Sequence, residues 1–426
     1  MILLLWLALT LPQDAPEPPP PDASATRHGT AAAGEDPQLL NEVRRMSRSL
    51  EDLLAARFAL PPVAVRATAD LRRVAAEARL AQALPAERVE ARGRAWEDIG
   101  LGTREGPSRI YRLLAEDLEG VAVDPTGRRL LVDPDRLTAG DFIPTGEDAD
   151  PSSLLLLTGI RPDEPLLLHG LVHLLQQQEE RGAWPETTDA LLALRAWQEG
   201  QANLAAILYL FARVGVGTEL FSHSLDPGEV MGGALLPRSI DLVGGAEGAL
   251  LDWVYRDGYE QAAASIRNGG PSALREAMAS RKTTRDVRHL DRVALEPGAI
   301  AIADEPSPEE LRLADRDSVG EEGIVVIVST WTGKANLGLI AADGWSGDAL
   351  FRWEDTTGDG VTLWVTRWVS PEEAADFEYG YVRSLESRFA APGDAGQSPR
   401  RFEGQGRAIT VSRDGMHVRV RIVPSG

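Results

Sequence analysis

The stretch over residues 166–179 is the feature that most constrains this 426-residue chain. Its residues 166–175 are apolar around the whole circumference except at His169 and His173, two of the six histidines in the chain. A helix places side chains four residues apart on one face, one turn from each other. The sequence therefore predicts a buried helix that directs two imidazoles the same way.

A second apolar stretch, over residues 188–213, carries Glu199. Two imidazoles and one carboxylate are a common protein ligand set for zinc. A glutamate that faces inward from an apolar helix needs a charged partner, and a metal ion supplies one. The residues leave an alternative open: both histidines can be core residues that bond to neighbours, with Glu199 on a solvated face.

At these residues the chain resembles bacterial exported zinc metallopeptidases of the gluzincin type. That family reads L-V-H-E-L-x-H-A-L-Q-D-Q and then A-L-x-x-x-E-G-x-A, where this chain reads L-H-G-L-V-H-L-L-Q-Q-Q over 168–178 and E-G-Q-A over 199–202. The G-W-S-G-D turn at 344–348 matches the family's G-W-x-G-D turn, and looser likenesses occur at 119–125 and 283–289. The resemblance covers most of the chain after residue 36.

The resemblance implies an α+β fold and a zinc site. The ligands would be His169, His173 and Glu199. The predicted organisation is a helix-rich, zincin-like domain with a short sheet over 37–300, followed by a smaller α+β segment over 301–426.

One position departs from the family in a way that affects catalysis. Gly170 stands where the family has the glutamate that takes a proton from the zinc-bound water. Glycine has no side chain and cannot transfer a proton. Gln177 stands where the family has an aspartate that would orient a ligand. The sequence therefore predicts a catalytically impaired peptidase that acts by binding a peptide or protein in its cleft.

Two alternatives remain at this stage. In the first, the chain is an active zinc hydrolase with another base; Glu179 and Glu180 lie about 10 Å or more along the helix from position 170, too far to serve. His289, Tyr255 and Tyr259 could enter the cleft from later segments, His289 as an oxyanion-stabilising or ligand-supporting group. In the second, the site is a metal-free structural relic.

The composition argues against several classes of binding partner and metal ligand. The net charge is −21, with acidic residues spread along the chain, which argues against binding to nucleic acid or anionic lipid. The absence of cysteine excludes thiolate ligands. Residues 1–15 hold a short apolar run typical of a signal peptide and too short to span a bilayer. A Pro-rich linker follows over 16–36, so we expect export, with an uncleaved N-terminal tether as the alternative.

Periodicity gives the remaining elements. The predicted helices cover residues 39–54, 67–83, 108–118, 249–267, 272–280 and 371–388. The predicted strands cover residues 121–123, 130–132, 324–328, 361–368, 408–411 and 417–423.

Overall fold

The computed structural model of the chain describes most of the protein after residue 36. The described residues are 37–66, 74–79, 81, 84–115, 120–124, 126, 128–133, 161, 164–179, 184–213, 243–280, 282–294, 300, 311–389 and 399–425. The predicted signal-like segment and linker lie outside them, as do His28, His223 and Glu180.

The N-terminal portion is mainly helical. Its elements are α1 (Pro37–Leu54), β1 (Val63–Arg66), α2 (Ala86–Ile99), α3 (Gly106–Ala115), β2 (Val121–Val123), β3 (Arg129–Val132), α4 (Glu164–Glu179), α5 (Thr188–Arg213), α6 (Gly245–Ser280) and α7 (Thr284–Arg288). Helix α6 is broken at Gly269 and Gly270, just before Pro271. This break confirms the two separate helices predicted there.

The core of this portion is formed by α4 and α5, two helices whose sequences are mostly apolar. Residues 164–176 of α4 are all buried, and α5 is buried along most of its length. Helix α6 packs along α5, and the small sheet packs on α4. In that sheet β3 lies in the middle, parallel to β1 and antiparallel to β2. The metal-ligand candidates are therefore located in the buried core of this portion.

The C-terminal portion is a six-stranded antiparallel sheet with three helices. Its elements are β4 (Arg312–Asp317), α8 (Gly320–Thr332), α9 (Ala335–Ala342), β5 (Trp345–Glu354), β6 (Gly360–Trp368), α10 (Pro371–Phe389), β7 (Arg400–Gly404), β8 (Arg407–Asp414) and β9 (His417–Pro424), with strand order β4-β5-β6-β9-β8-β7. Trp345, Trp364 and Trp368 are buried in this portion. The whole is an α+β fold, which confirms the predicted class at that level.

The strand predicted at 324–328 is wrong. These residues form the middle of α8, which ends at Gly333 in the left-handed conformation (φ 66°). Their β-branched side chains favour a strand locally, but the segment is buried against helices on several sides, and tertiary packing overrides the local preference. An apolar run of this kind does not by itself distinguish a buried strand from a buried helix.

Helix α2 was not predicted, and it joins the two portions. Its Arg92 is completely buried and pairs with Asp315 of β4, with a nitrogen–oxygen distance of 2.9 Å. Its Asp98 accepts from Arg352 of β5 at 2.9 Å. The helix has a weak apolar stripe because much of its buried face is charged. We call these pairs the junction.

Two other helix predictions are only partly tested. The helix expected over 67–83 is seen as a helical turn at 74–79, with most of the rest outside the described residues. The helix expected over 108–118 is confirmed up to Ala115 as α3. Among the described residues, no helix is both long enough and apolar enough to cross a membrane.

Candidate metal centre

Three side chains from α4 and α5 converge at one point in the core. His169 Nε2 lies 2.8 Å from His173 Nε2. Glu199 Oε2 lies 3.2 Å from the first of these nitrogens and 3.5 Å from the second. Each of the three residues is at most 4% exposed. They are the one group of metal-ligating type that the described part of the chain contains.

The convergence follows from simple helical geometry. His169 and His173 are one turn apart on α4, and their rings meet edge to face with centroids 4.6 Å apart. Glu199 lies in the middle of α5, which packs against α4. The alternative in which Glu199 occupies a solvated face is therefore excluded by its burial.

Gln176 fixes the orientation of His173. The Gln176 amide nitrogen donates to the Gln198 carbonyl at 2.9 Å and to Gln201 Oε1 at 2.8 Å. A carbonyl only accepts, so the amide cannot be reversed, and its oxygen must accept from His173 Nδ1–H at 2.8 Å. A neutral His173 therefore directs the Nε2 lone pair toward the other two ligand atoms.

The three atoms form a triangle of acceptors. A single proton can occupy only one edge of such a triangle, whereas a metal ion satisfies all three atoms at once. Ligand atoms bound to tetrahedral zinc at 2.0–2.2 Å lie about 3.3–3.6 Å apart; the edges of 3.2 and 3.5 Å to Glu199 are close to that range, and the 2.8 Å edge between the imidazoles is about 0.5 Å shorter. The donor set therefore fits a tetrahedral cation of this size, with these three residues as its protein ligands.

The second carboxylate oxygen of Glu199 has a different partner. Glu199 Oε1 accepts from the guanidinium of Arg195, one turn earlier on α5, and Arg195 lies over the Trp184 ring with its Cζ 5.6 Å from the centroid. Burial opposes ionisation of Glu199, but when no metal is bound a protonated His173, the charge of Arg195 and hydrogen bonds from the two imidazoles outweigh it and hold the pKa of Glu199 well below its usual value. One oxygen is thus fixed by arginine, and Oε2 is left to face the histidines.

Position 170 has no room for a side chain. A Cβ atom at Gly170 would collide with Val121 Cγ1 of β2 and lie 3.0 Å from Leu130 Cδ1 of β3. Gly170 is buried. The space that a side chain at position 170 would need is therefore occupied by the small sheet.

The other predicted groups lie elsewhere. His289 ends α7 and its Nε2 lies 2.8 Å from Glu321 Oε1 of α8, so it is not one of the three converging residues. Tyr255 and Tyr259 are buried on α6, which packs against α5. Gln177 is only partly buried. The ligand-orienting contact expected at position 177 is provided instead by its neighbour, Gln176.

Asp348 is the last residue of the G-W-S-G-D turn. The G-W-S-G-D turn leads into β5, with a bulge between Trp345 and Gly347. Asp348 does not pin that turn. It accepts from the backbone nitrogens of Val319 and Gly320 at 2.8 and 3.0 Å, and so holds the start of α8.

Sequence reasoning missed Gln176, Arg195 and Val121 at the site. The first two follow helical spacing: Gln176 is three residues after His173, and Arg195 is four before Glu199. That spacing could have identified them. Val121 comes from a strand distant in sequence, and no local pattern could have placed it beside Gly170.

Residues 309–426 match a family model described as Domain of unknown function (DUF8575). No curated protein matches the chain, and no solved structure matches it. The family match begins just before β4 and ends after β9, so α4, α5 and the metal-ligand candidates lie outside it. The match carries no information on the chemistry of the site.

Proposed function

We propose that this chain is a zinc-binding, metallopeptidase-like protein that has lost proteolytic activity and acts by binding a peptide or protein. The zinc ligands are His169, His173 and Glu199. The observation that carries this proposal is the triangle of buried acceptor atoms, in which Gln176 directs His173 Nε2 toward the same point. Three such atoms without a cation between them would repel one another.

Bound zinc would polarise a ligand carbonyl or water in the site. The chain's own residues limit the chemistry that such polarisation can support. Gly170 can hold no proton, and Val121 fills the space that a longer side chain would need. Arg195 neutralises one oxygen of Glu199 and keeps that carboxylate ionised. The site can therefore hold a cation, and among the described residues position 170 offers no group that would complete hydrolysis.

The gluzincin-like identity of the helical portion is part of this proposal. The order of a two-histidine helix followed by a glutamate helix supports it, together with the G-W-S-G-D turn at 344–348 and the loose likenesses at 119–125 and 283–289. Export is also proposed, on the apolar run before the Pro-rich stretch of residues 16–36.

Metal analysis tests the proposal directly. After incubation with zinc and removal of excess, we expect about one zinc per chain, and none bound by the His169→Ala variant. His417→Ala is a matched control because His417 is exposed on β9. Cobalt substitution should give the absorption of a tetrahedral site. No zinc in the folded wild-type protein after such loading would refute the proposal.

Activity is tested separately with a broad peptide library. We expect no cleavage that a chelator abolishes, because removal of a general base costs about 10²-fold or more. Chelator-sensitive turnover by the zinc-loaded native chain, absent in His169→Ala, would establish the active hydrolase instead.

A second candidate is a metal-free polar core. The contact that favours it is the ion pair between Arg195 and Glu199, which already neutralises the carboxylate. In that case one proton would bridge His169 and His173, and zinc would neither bind nor stabilise the fold. The metal analysis distinguishes the two candidates.

A further inference from the structure

The C-terminal strands have the opposite charge to the rest of the chain. Residues 400–426 contain six arginines and two acidic residues, within a protein whose net charge is −21. Acidic residues are thus not spread evenly to the end of the chain. The basic residues all lie on β7, β8 and β9, which are adjacent in the sheet.

Two of these arginines have buried partners. Arg407 Nε lies 2.9 Å from Asp98 Oδ1, and Arg413 Nε lies 2.8 Å from Glu378 Oε2. Arg401, Arg419 and Arg421 are exposed, and none of the three has an ion pair with another described residue. Three unneutralised cations remain on one small area of an acidic protein.

The strand register places these three side chains on one face of the sheet. Arg401 is opposite Thr410, which is in turn opposite Arg421. Arg419 is opposite Ser412, and this pair lies two residues along the strands from the pair of Thr410 and Arg421. Directly paired residues in an antiparallel sheet project to the same side. We call Arg401, Thr410, Ser412, Arg419 and Arg421 the arginine face.

The rest of the sheet isolates this face. The other side of β7, β8 and β9 is apolar and packs on α10, with Phe402, Ile409 and Val420 in the core. On the same side as the arginine face, β5 and β6 carry an apolar cluster against which Ile300 and Leu311 pack. The exposed part therefore carries three guanidinium groups and two hydroxyl groups, and Glu403 and Asp414 project to the same side at its edges.

We propose that the arginine face binds an acidic segment of a polypeptide. Guanidinium groups hold carboxylates with two parallel hydrogen bonds. Arg419 and Arg421 are two residues apart on one strand, so their side chains repeat at about 6.7 Å. An extended peptide with acidic residues at alternate positions has the same repeat. A flat, open surface suits such a segment better than a small ligand, which needs a concave site.

Nucleic acid and anionic membranes fit this surface less well. Aromatic stacking on bases is unavailable, because Phe351 and Trp353 on this side of the sheet are buried. A long polyanion would also meet repulsion from the acidic remainder of the chain. A short acidic segment needs only the arginine face.

Fluorescence anisotropy with a labelled peptide of alternating Glu and Ser tests this on the full-length chain. We expect saturable binding at about 50 mM salt that weakens with added salt, and at least tenfold weaker binding by R401E/R419E/R421E. The control R104E/R256E/R383E changes the net charge equally at three exposed arginines far apart in the sequence. It should bind within about twofold of the wild type.

Three results would overturn the proposal. They are no binding by the wild-type chain, equal weakening in both triple variants, or tighter binding of a single-stranded oligonucleotide or a phosphatidylserine vesicle than of the peptide. If charge reversal lowers the melting temperature, R401Q/R419Q/R421Q replaces it, with the same expected tenfold loss. None of these results depends on zinc, so this proposal and the metal site can fail independently.

Discussion

The metal-ligand candidates and the junction are both buried and polar, but they differ in whether the protein itself supplies donors and cations for their acceptor atoms. At the junction, each carboxylate faces donors: Asp315 receives two hydrogen bonds from Arg92, and Asp98 one from Arg352. At the candidate metal centre, formed by side chains of α4 and α5, acceptor atoms face each other. His169, His173 and Glu199 have one arginine among their described neighbours, and it contacts only the outer carboxylate oxygen.

The difference shows that the protein's own side chains satisfy every charge at the junction, whereas the metal-ligand candidates need an added cation. Buried charges persist only when paired or bound to a metal. The junction meets this condition with its own arginines, which indicates a structural role. The centre meets it for one oxygen only, and the remaining three atoms require a proton or a metal.

The largest expected effect concerns the junction. Arg92→Met leaves Asp315 and Asp317 buried without their main cation, and we expect the free energy of unfolding to fall by about 3–5 kcal/mol. Urea denaturation measures it. Arg88→Met is the matched control, because Arg88 also contacts Asp315 but its side chain is 24% exposed; its expected loss is about 1 kcal/mol. Equal losses would contradict the assignment of Arg92 as the central cation.

The next effect concerns the centre. Gln176→Met keeps the size of the side chain but removes the acceptor that orients His173. We expect zinc affinity to fall by about 10- to 100-fold, measured by competition with a chromophoric chelator. Gln177→Met, at the partly buried neighbouring position, should change the affinity less than twofold. Unchanged affinity in Gln176→Met would mean that the orientation of His173 does not matter for binding.

A smaller effect concerns pH and the start of α5. Burial raises the pKa of Asp189 to about 8, despite hydrogen bonds from Thr284 that lower it, and nearby Asp348 and Asp286 add to the rise. The folded chain thus keeps a proton that the unfolded chain loses near pH 4. Stability should therefore fall between about pH 4 and pH 8, by at most about 1.4 kcal/mol per pH unit from this group.

Asp189→Asn tests that dependence, because asparagine keeps an acceptor for Thr284 without the charge. The slope of unfolding free energy against pH should become shallower over this window by up to the stated amount. An identical slope in both proteins would show that Asp189 is ionised in the folded chain.

The smallest effect concerns Gly170. Gly170→Ala gains about 1 kcal/mol of helix propensity, but its methyl group collides with Val121, and such overpacking costs about 1–3 kcal/mol. We expect a net loss of about 1 kcal/mol, recovered in part by the double variant with Val121→Ala. A stabilised Gly170→Ala would show that β2 moves away easily. The side-chain space at position 170 would then be open.

Much of the fold was predictable from local patterns. The long helices α4 and α5 are apolar on all sides, and α6 is interrupted at its glycine pair, so each follows from sequence. Helical spacing predicted the pair of histidines, the resemblance added Glu199, and the structure brings the three residues together. The role expected of His289 stays a prediction, and its contact with Glu321, on a separate helix, could not be read from the sequence.

The misassigned elements share a physical cause. Residues 324–328 have strand-forming side chains, and only their packing against other helices makes them helical. Helix α2 lacks a clear apolar stripe because Arg92 and Asp98 are buried through partners in another part of the chain. Long-range pairs of this kind leave no periodic signal in a single sequence.

The end of α2 has a practical consequence for fragments of this protein. The carbonyls of Asp98, Ile99 and Gly100 accept hydrogen bonds from Arg388, Tyr381 and Trp331, respectively. All three donors lie within 309–426, the stretch that matches the family model. A polypeptide expressed with those boundaries would leave these donors, and the Arg352 guanidinium, without the helix that covers them. We therefore expect such a truncated product to be poorly soluble, and one that begins before Ala86 to be well behaved.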